Sequence, residues 1–169
     1  MTVVADAAPL IFLSKLNRLD LLSILYPGRL LIPKQVAKEL LVAPVDPGEE
    51  MLLRNLIESA TVVSVPDRKR RTSFLSLSAA DQAVHSLSLK EKADCVLSDD
   101  KRLRALLRLD HIRVVGTLGI LTEAVARKAM TKKAFEKDLE ALIHQHAFRI
   151  GITLYEHVIK RIREIQEEK

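Results

Sequence analysis

The chain has 169 residues, 48% hydrophobic and 29% charged, with one cysteine and a net charge of +5. That size and composition give one domain with a core of its own, and exclude a largely disordered chain, a disulfide framework and a cysteine-rich zinc site. The charge is uneven: residues 1–100 hold 12 Lys/Arg against 13 Asp/Glu, and residues 101–169 hold 15 against 9, a pattern that suits a polyanion partner and equally a solvated helical surface.

In chain order, the first short apolar run is Val3-Val4, followed by Asp6 and a helix beginning near Pro9. Leu30-Leu31-Ile32 is a second strand, and Pro33 opens a helix at its first position, where a missing N–H costs nothing. Pro44, Pro47 and Gly48 are expected to end that helix and form a loop. Thr61–Val63 is a third strand, and the charged run Asp67-Arg68-Lys69-Arg70-Arg71 a loop after it. Ser78-Ala79-Ala80-Asp81 reads as a capping box before Ala83, Val84 and Leu87. Cys95–Leu97 is a fourth strand, with Cys95 a small core residue, and Leu103 and Leu106 lie on the helix after it. Ile112–Val115 is a fifth strand, with Gly116 after it and Thr117 placed to cap the next helix. Short strands alternating with helices predict a parallel α/β sheet of about five strands covered on both faces.

Beyond residue 128 the pattern is helical only. Phe135, Leu139, Leu142, Ile143 and His146 form one stripe, and Tyr155, Val158, Ile159, Ile162 and Ile165 another. Residues 129–169 are therefore expected as a helical extension packed on the same core, with a partner-binding surface as the alternative. No apolar run approaches the roughly 18 residues of a membrane span. The Met1–Asp6 start lacks a secretory signal's basic flank, and the lone cysteine suits a reducing cytoplasm.

The acids carry the chemistry. In a parallel sheet, ligands bind beyond the carboxyl ends of the strands. Asp6 follows the first strand, Asp99 and Asp100 follow the fourth, Asp81 opens the helix before the fourth, and Glu39 lies on the helix after the second. Each has a plainer role available: Asp6, Asp81 and Asp99 as helix caps, Glu39 as a solvated side chain. Gathered at one sheet edge, they raise one another's pKa until a cation neutralises them, and all-oxygen ligation selects Mg²⁺ or Mn²⁺.

Four segments resemble PIN-domain nucleases in the manner of VapC-type toxins. They are Val3-Val4-Ala5-Asp6-Ala7-Ala8-Pro9, Leu31-Ile32-Pro33 with Glu39, Leu77-Ser78-Ala79-Ala80-Asp81-Gln82-Ala83, and Leu97-Ser98-Asp99-Asp100-Lys101-Arg102. The resemblance covers roughly residues 2–128, taken as a PIN-like three-layer nuclease domain over 1–128. It implies a metal-dependent endoribonuclease in which a metal-activated water attacks an RNA phosphate in line. Asp6, Glu39, Asp81 and Asp100 take the family's catalytic positions; Asp6, Asp81 and Asp100, with Asp99 as a substitute, are the metal ligands; and Mg²⁺ or Mn²⁺ is the cofactor. Ser98 falls where the family often has Thr or Ser beside the site. With Lys101, Arg102 and Arg104 it makes the candidate substrate-binding set.

Two positions depart from the pattern, Ala8 for a small polar residue and Arg102 for a further acid, which predicts looser metal binding or one ion instead of two. A small antitoxin and a homodimer are implied partners. The alternatives are a catalytically silent PIN-like RNA- or protein-binding module and a non-toxin RNA-processing nuclease. Aromatics at 4% with no Trp argue against stacking platforms and for salt-sensitive, backbone-led RNA binding. Arg68, Lys69, Arg70 and Arg71 read as a solvated loop, with a substrate clamp as the alternative. His144 and His146 are about 200° apart on a helix and are assigned no shared metal.

Overall fold

The computed structural model describes residues 1–43, 46–66 and 77–165. The breaker Pro44 and the basic run from Asp67 to Arg71 lie outside the described residues.

Five strands form one sheet: β1 (Thr2–Ala5), β2 (Arg29–Pro33), β3 (Thr61–Val63), β4 (Cys95–Leu97) and β5 (Val114–Val115). All neighbouring pairs are parallel, in the order β3-β2-β1-β4-β5. The central strands are apolar throughout because both faces are covered: Val3, Val4 and Ala5 of β1 and Cys95, Val96 and Leu97 of β4 are almost wholly inaccessible. The fifth strand is shorter than its apolar run, since only Val114 and Val115 pair with β4.

The helices are α1 (Ala7–Lys15), α2 (Asp20–Leu25), α3 (Lys34–Val42), α4 (Pro47–Ser59), α5 (Ala79–Lys90), α6 (Lys101–Leu109), α7 (Thr117–Ala126), α8 (Lys132–His144) and α9 (Ile152–Glu164). The sheet with helices around it is the expected α/β architecture. Among the described residues, none of the helices is long and apolar enough to cross a membrane.

Three local expectations are corrected. Pro47 and Gly48 do not make a loop but begin α4, because the Asp46 carboxylate accepts from Gly48 N and Glu49 N. Pro33 is not the first residue of α3; it ends β2 and occupies the N-cap position. Thr117 does not cap α7 but is its first residue, and the cap falls at Gly116.

The last two helices share the central core. Phe135, Leu139 and Leu142 of α8 and Val158 and Ile162 of α9 are buried in one cluster with Val3, Leu10 and Leu97. Only part of the α9 stripe is covered: Tyr155 stays exposed, as do Ile152 and Leu154 before it. His146 lies past the end of α8, so the two histidines do not share a helix.

Candidate active site

The order of the strands reverses between β1 and β4, each of which has its next neighbour on the opposite side. At such a switch point the two following loops run apart and leave a crevice at the carboxyl ends of the strands. Asp6 leaves β1 there, and Ser98-Asp99-Asp100 leaves β4.

Backbone bonds set this edge. Asp6 N donates to Leu97 O at 2.9 Å, and Ser98 N donates to Val115 O at 3.0 Å. Asp6 then N-caps α1, its Oδ1 accepting from Ala7 N at 2.7 Å. The other oxygen, Oδ2, accepts from the Ser98 hydroxyl at 3.0 Å. That hydroxyl in turn accepts from Asp100 N at 3.2 Å. A buried serine therefore joins the two acid-bearing loops.

Asp100 N-caps α6, with Oδ1 accepting from Arg102 N at 2.9 Å and Leu103 N at 2.8 Å. Asp81 sits in the first turn of α5 in a reciprocal capping box: its Oδ2 accepts from Ser78 N, and its N donates to Ser78 Oγ. Asp6, Asp81 and Asp100 therefore all take the plainer capping role that the sequence offered each of them or its neighbour. The positive ends of α1, α5 and α6 partly offset the negative charge that each of these carboxylates brings.

Electrostatics show which acids share a field. Burial is the main cause that pushes the Asp6 carboxyl up to about 6; the Asp81 and Glu39 charges raise it further, against the opposing bonds from Ala7 N and Ser98 Oγ. Glu39, exposed on α3, is also raised, first by desolvation and then by Asp81. The structure therefore brings Asp6, Glu39 and Asp81 into mutual charge range and ties Asp100 to Asp6 through Ser98.

Three other expected residues are placed differently. Asp99 does not turn toward Asp6: its Oδ1 accepts from Thr117 N at 2.9 Å and its Oδ2 from Thr117 Oγ1 at 2.5 Å, so it anchors the start of α7 in place of the expected ligand role. Burial raises its pKa, with the Thr117 bonds opposing. Ser98 is fully buried; its hydroxyl positions Asp6 and is closed to the substrate contact expected of it. Arg104 donates to Ser98 O at 2.8 Å and is half-buried, which makes it first a brace of the β4 loop. Lys101 and Arg102 are exposed on the first turn of α6, directly after Asp100.

Two supporting residues went unread in the sequence. A Cβ at Gly116 would lie 2.5 Å from Asp99 Oδ1 and 2.8 Å from an Arg104 guanidinium nitrogen, so only glycine admits this pair. Its one sequence signal was its place after a strand. Gln35, one turn before Glu39 on α3, donates to Val65 O and keeps a buried Oε1 without a partner among the described residues; nothing in its spacing marked it.

The donor set consists of carboxylate oxygens, which fits a hard divalent cation in chemistry. In spacing it is not a ready cage: among the described residues, no group of three His, Cys, Asp or Glu side chains is arranged to hold a metal ion.

The fold is thus an all-parallel α/β sheet with carboxylates at the carboxyl ends of its strands, beside the switch point. A family model, DUF3368, a PIN domain, matches residues 2–164, and the chain belongs to the PIN-domain family. The match takes in α8 and α9 as well as the four acidic segments. PIN domains are generally nucleases, and PIN-domain nucleases generally use divalent metals. Among solved structures, the chain is similar to a domain of a functionally unknown protein from Methanocaldococcus jannaschii DSM 2661, at 20% identity and a TM-score of 0.46, over 68% of this chain and 89% of that one. None of the curated proteins matches.

Proposed function

We propose that this protein is a metal-dependent endoribonuclease. The observation that carries the reading is Asp6: a buried carboxylate at the sheet's switch point, loaded by the charges of Asp81 and Glu39 and bridged to the Asp100 loop by Ser98. Clustered anions of this kind ask for a cation.

Asp6, Glu39, Asp81 and Asp100 would hold Mg²⁺ or Mn²⁺. When bound, such an ion neutralises phosphate charge and acidifies a coordinated water. The chain's own residues do the rest. Ser98 holds Asp6 in one orientation from below. Asp81 and Asp100 would offer their carboxylates from the first turns of α5 and α6, where each also serves as a helix cap. Lys101 and Arg102 offer cations to the phosphate beside Asp100. The reaction is hydrolysis of a phosphodiester: a water oxygen joins phosphorus as one ester P–O bond breaks, and the leaving oxygen takes a proton.

The motif order also supports a narrower reading, as the toxin of a toxin–antitoxin pair with a small antitoxin and a homodimer as partners. A short reading frame beside the gene is the observation that favours it over a non-toxin RNA-processing role. One feature favours the silent binding module instead, namely that Asp81 and Asp100 are already engaged as caps with no three-acid cage among the described residues.

The test is cleavage of single-stranded RNA with Mn²⁺ by the parent, Asp6→Ala and Asp100→Ala. The expected result is a loss of roughly a hundredfold or more in rate in each variant, with the fold retained. Variants that cut as fast as the parent refute the site.

A further inference from the structure

A second feature lies beside the acidic crevice. A groove of about 940 Å³ runs between the β5 edge, α7 and α9, and takes in Lys101, the residue after Asp100. Six cations line it, Lys101, Arg104, Arg113, Arg127, Arg149 and Arg161, against two acids, Asp99 and Glu123. The acids are already committed. Glu123 accepts from Arg113, Arg127 and the Tyr26 hydroxyl, and Asp99 is bonded to Thr117 beside Arg104. Among the described residues, Lys101, Arg149 and Arg161 have no carboxylate partner, and all three are exposed.

The groove is not a purely electrostatic surface. Phe12 and Phe148, two of the four phenylalanines in the chain, both line it and meet edge to face with ring centroids 4.9 Å apart. Against the expectation from the low aromatic content, cations along one channel with an aromatic pair on its wall match a strand that carries phosphates on one side and bases on the other. A duplex buries its base faces and leaves the aromatic pair without a partner. An acidic peptide satisfies the cations but leaves the aromatic wall without a matching partner.

We infer that this groove is the track for single-stranded RNA leading into the acidic crevice, with Arg149 and Arg161, from the α8–α9 link and α9, gripping the strand away from the cut. The inference rests on the nuclease reading for what happens at Asp100, but the grip itself does not. On this reading α9 completes a binding surface as well as covering the core.

The test uses the full chain with the Asp6→Asn substitution, so that RNA is bound without being cut, and a labelled oligouridylate of about 16 nucleotides. Arg149→Ala combined with Arg161→Ala is expected to weaken binding about tenfold and to lower the slope of log affinity against log salt by roughly two, one for each lost phosphate contact. Arg54→Ala, on α4 and paired with Glu50, is the control and leaves both unchanged. With Asp6 intact, the double variant raises KM for the long strand and leaves cleavage of the dinucleotide UpU as it was. Unchanged affinity and salt slope overturn the track. So does binding of polyglutamate in place of RNA with the same dependence on Arg149 and Arg161, which assigns the groove to an acidic protein. A parent that binds RNA through the two arginines yet cuts none of it leaves the track standing and removes the nuclease reading instead.

Discussion

Asp6 is the residue on which most depends, and its chemistry is a balance of opposing effects. Burial and two anionic neighbours favour the protonated form; the Ala7 amide and the Ser98 hydroxyl favour the ionised one, and burial wins, lifting the carboxyl from 3.8 to about 6. A group whose folded pKa is raised binds its proton more tightly in the folded state. Without metal, its stabilising contribution is therefore complete below about 4 and is lost as pH climbs through about 6. At neutral pH the ionised side chain costs on the order of 3 kcal/mol. Asn retains a good N-cap oxygen without the charge. Metal-free Asp6→Asn is thus expected to melt higher than the parent at pH 7.5, with the gap closing toward pH 4. Thermal melts across that range check it, and a gap that is flat with pH removes the raised carboxyl from the account. The site, on this view, is held at a cost in stability that a bound cation relieves.

At the scale of elements, most of the fold was legible where local chemistry alone decides. The strands were visible as short apolar runs, and for the central β1 and β4 the reason is that buried parallel strands carry no polar face. The Ser78–Asp81 capping box formed as read, because its two bonds close within one turn. The failures share a different cause. Pro47-Gly48 looks like a loop until Asp46 is seen to cap both following amides; the same residues that break one helix then begin another. Asp46→Ala is accordingly expected to cost about 1 kcal/mol in urea denaturation, and no loss of stability returns α4's start to the status of a loop. The anchoring role of Asp99 was hidden for a long-range reason: Thr117, eighteen positions later, is what claims its carboxylate. No periodicity within one segment reports a partner in another. The order of the acids along the chain was legible, whereas the Ser98 bridge and the burial that raises Asp6 exist only once β1 and β4 lie side by side.

At the scale of the molecule, the two ends of the chain do different work on one core. The sheet and its first helices gather anions at a crevice. The residues from Lys101 onward bring cations to its flank, while Phe135, Val158 and Ile162 seal the same hydrophobic cluster. On the proposed function, acid to hold a cation and base to hold a polyanion are opposite demands, and separating them into neighbouring surfaces would let each keep its charge. The central claim is the first of these, that the acids around Asp6 share a divalent cation. A Mn²⁺ titration followed by thermal melting, in the parent and in Asp6→Asn at pH 7.5, reads it most directly. Binding confined to the folded state raises the parent's melting temperature by about 5–10 °C once Mn²⁺ reaches roughly a hundred times its dissociation constant, and leaves Asp6→Asn where it was. A parent that ignores millimolar Mn²⁺, or a variant that rises with it equally, contradicts the claim.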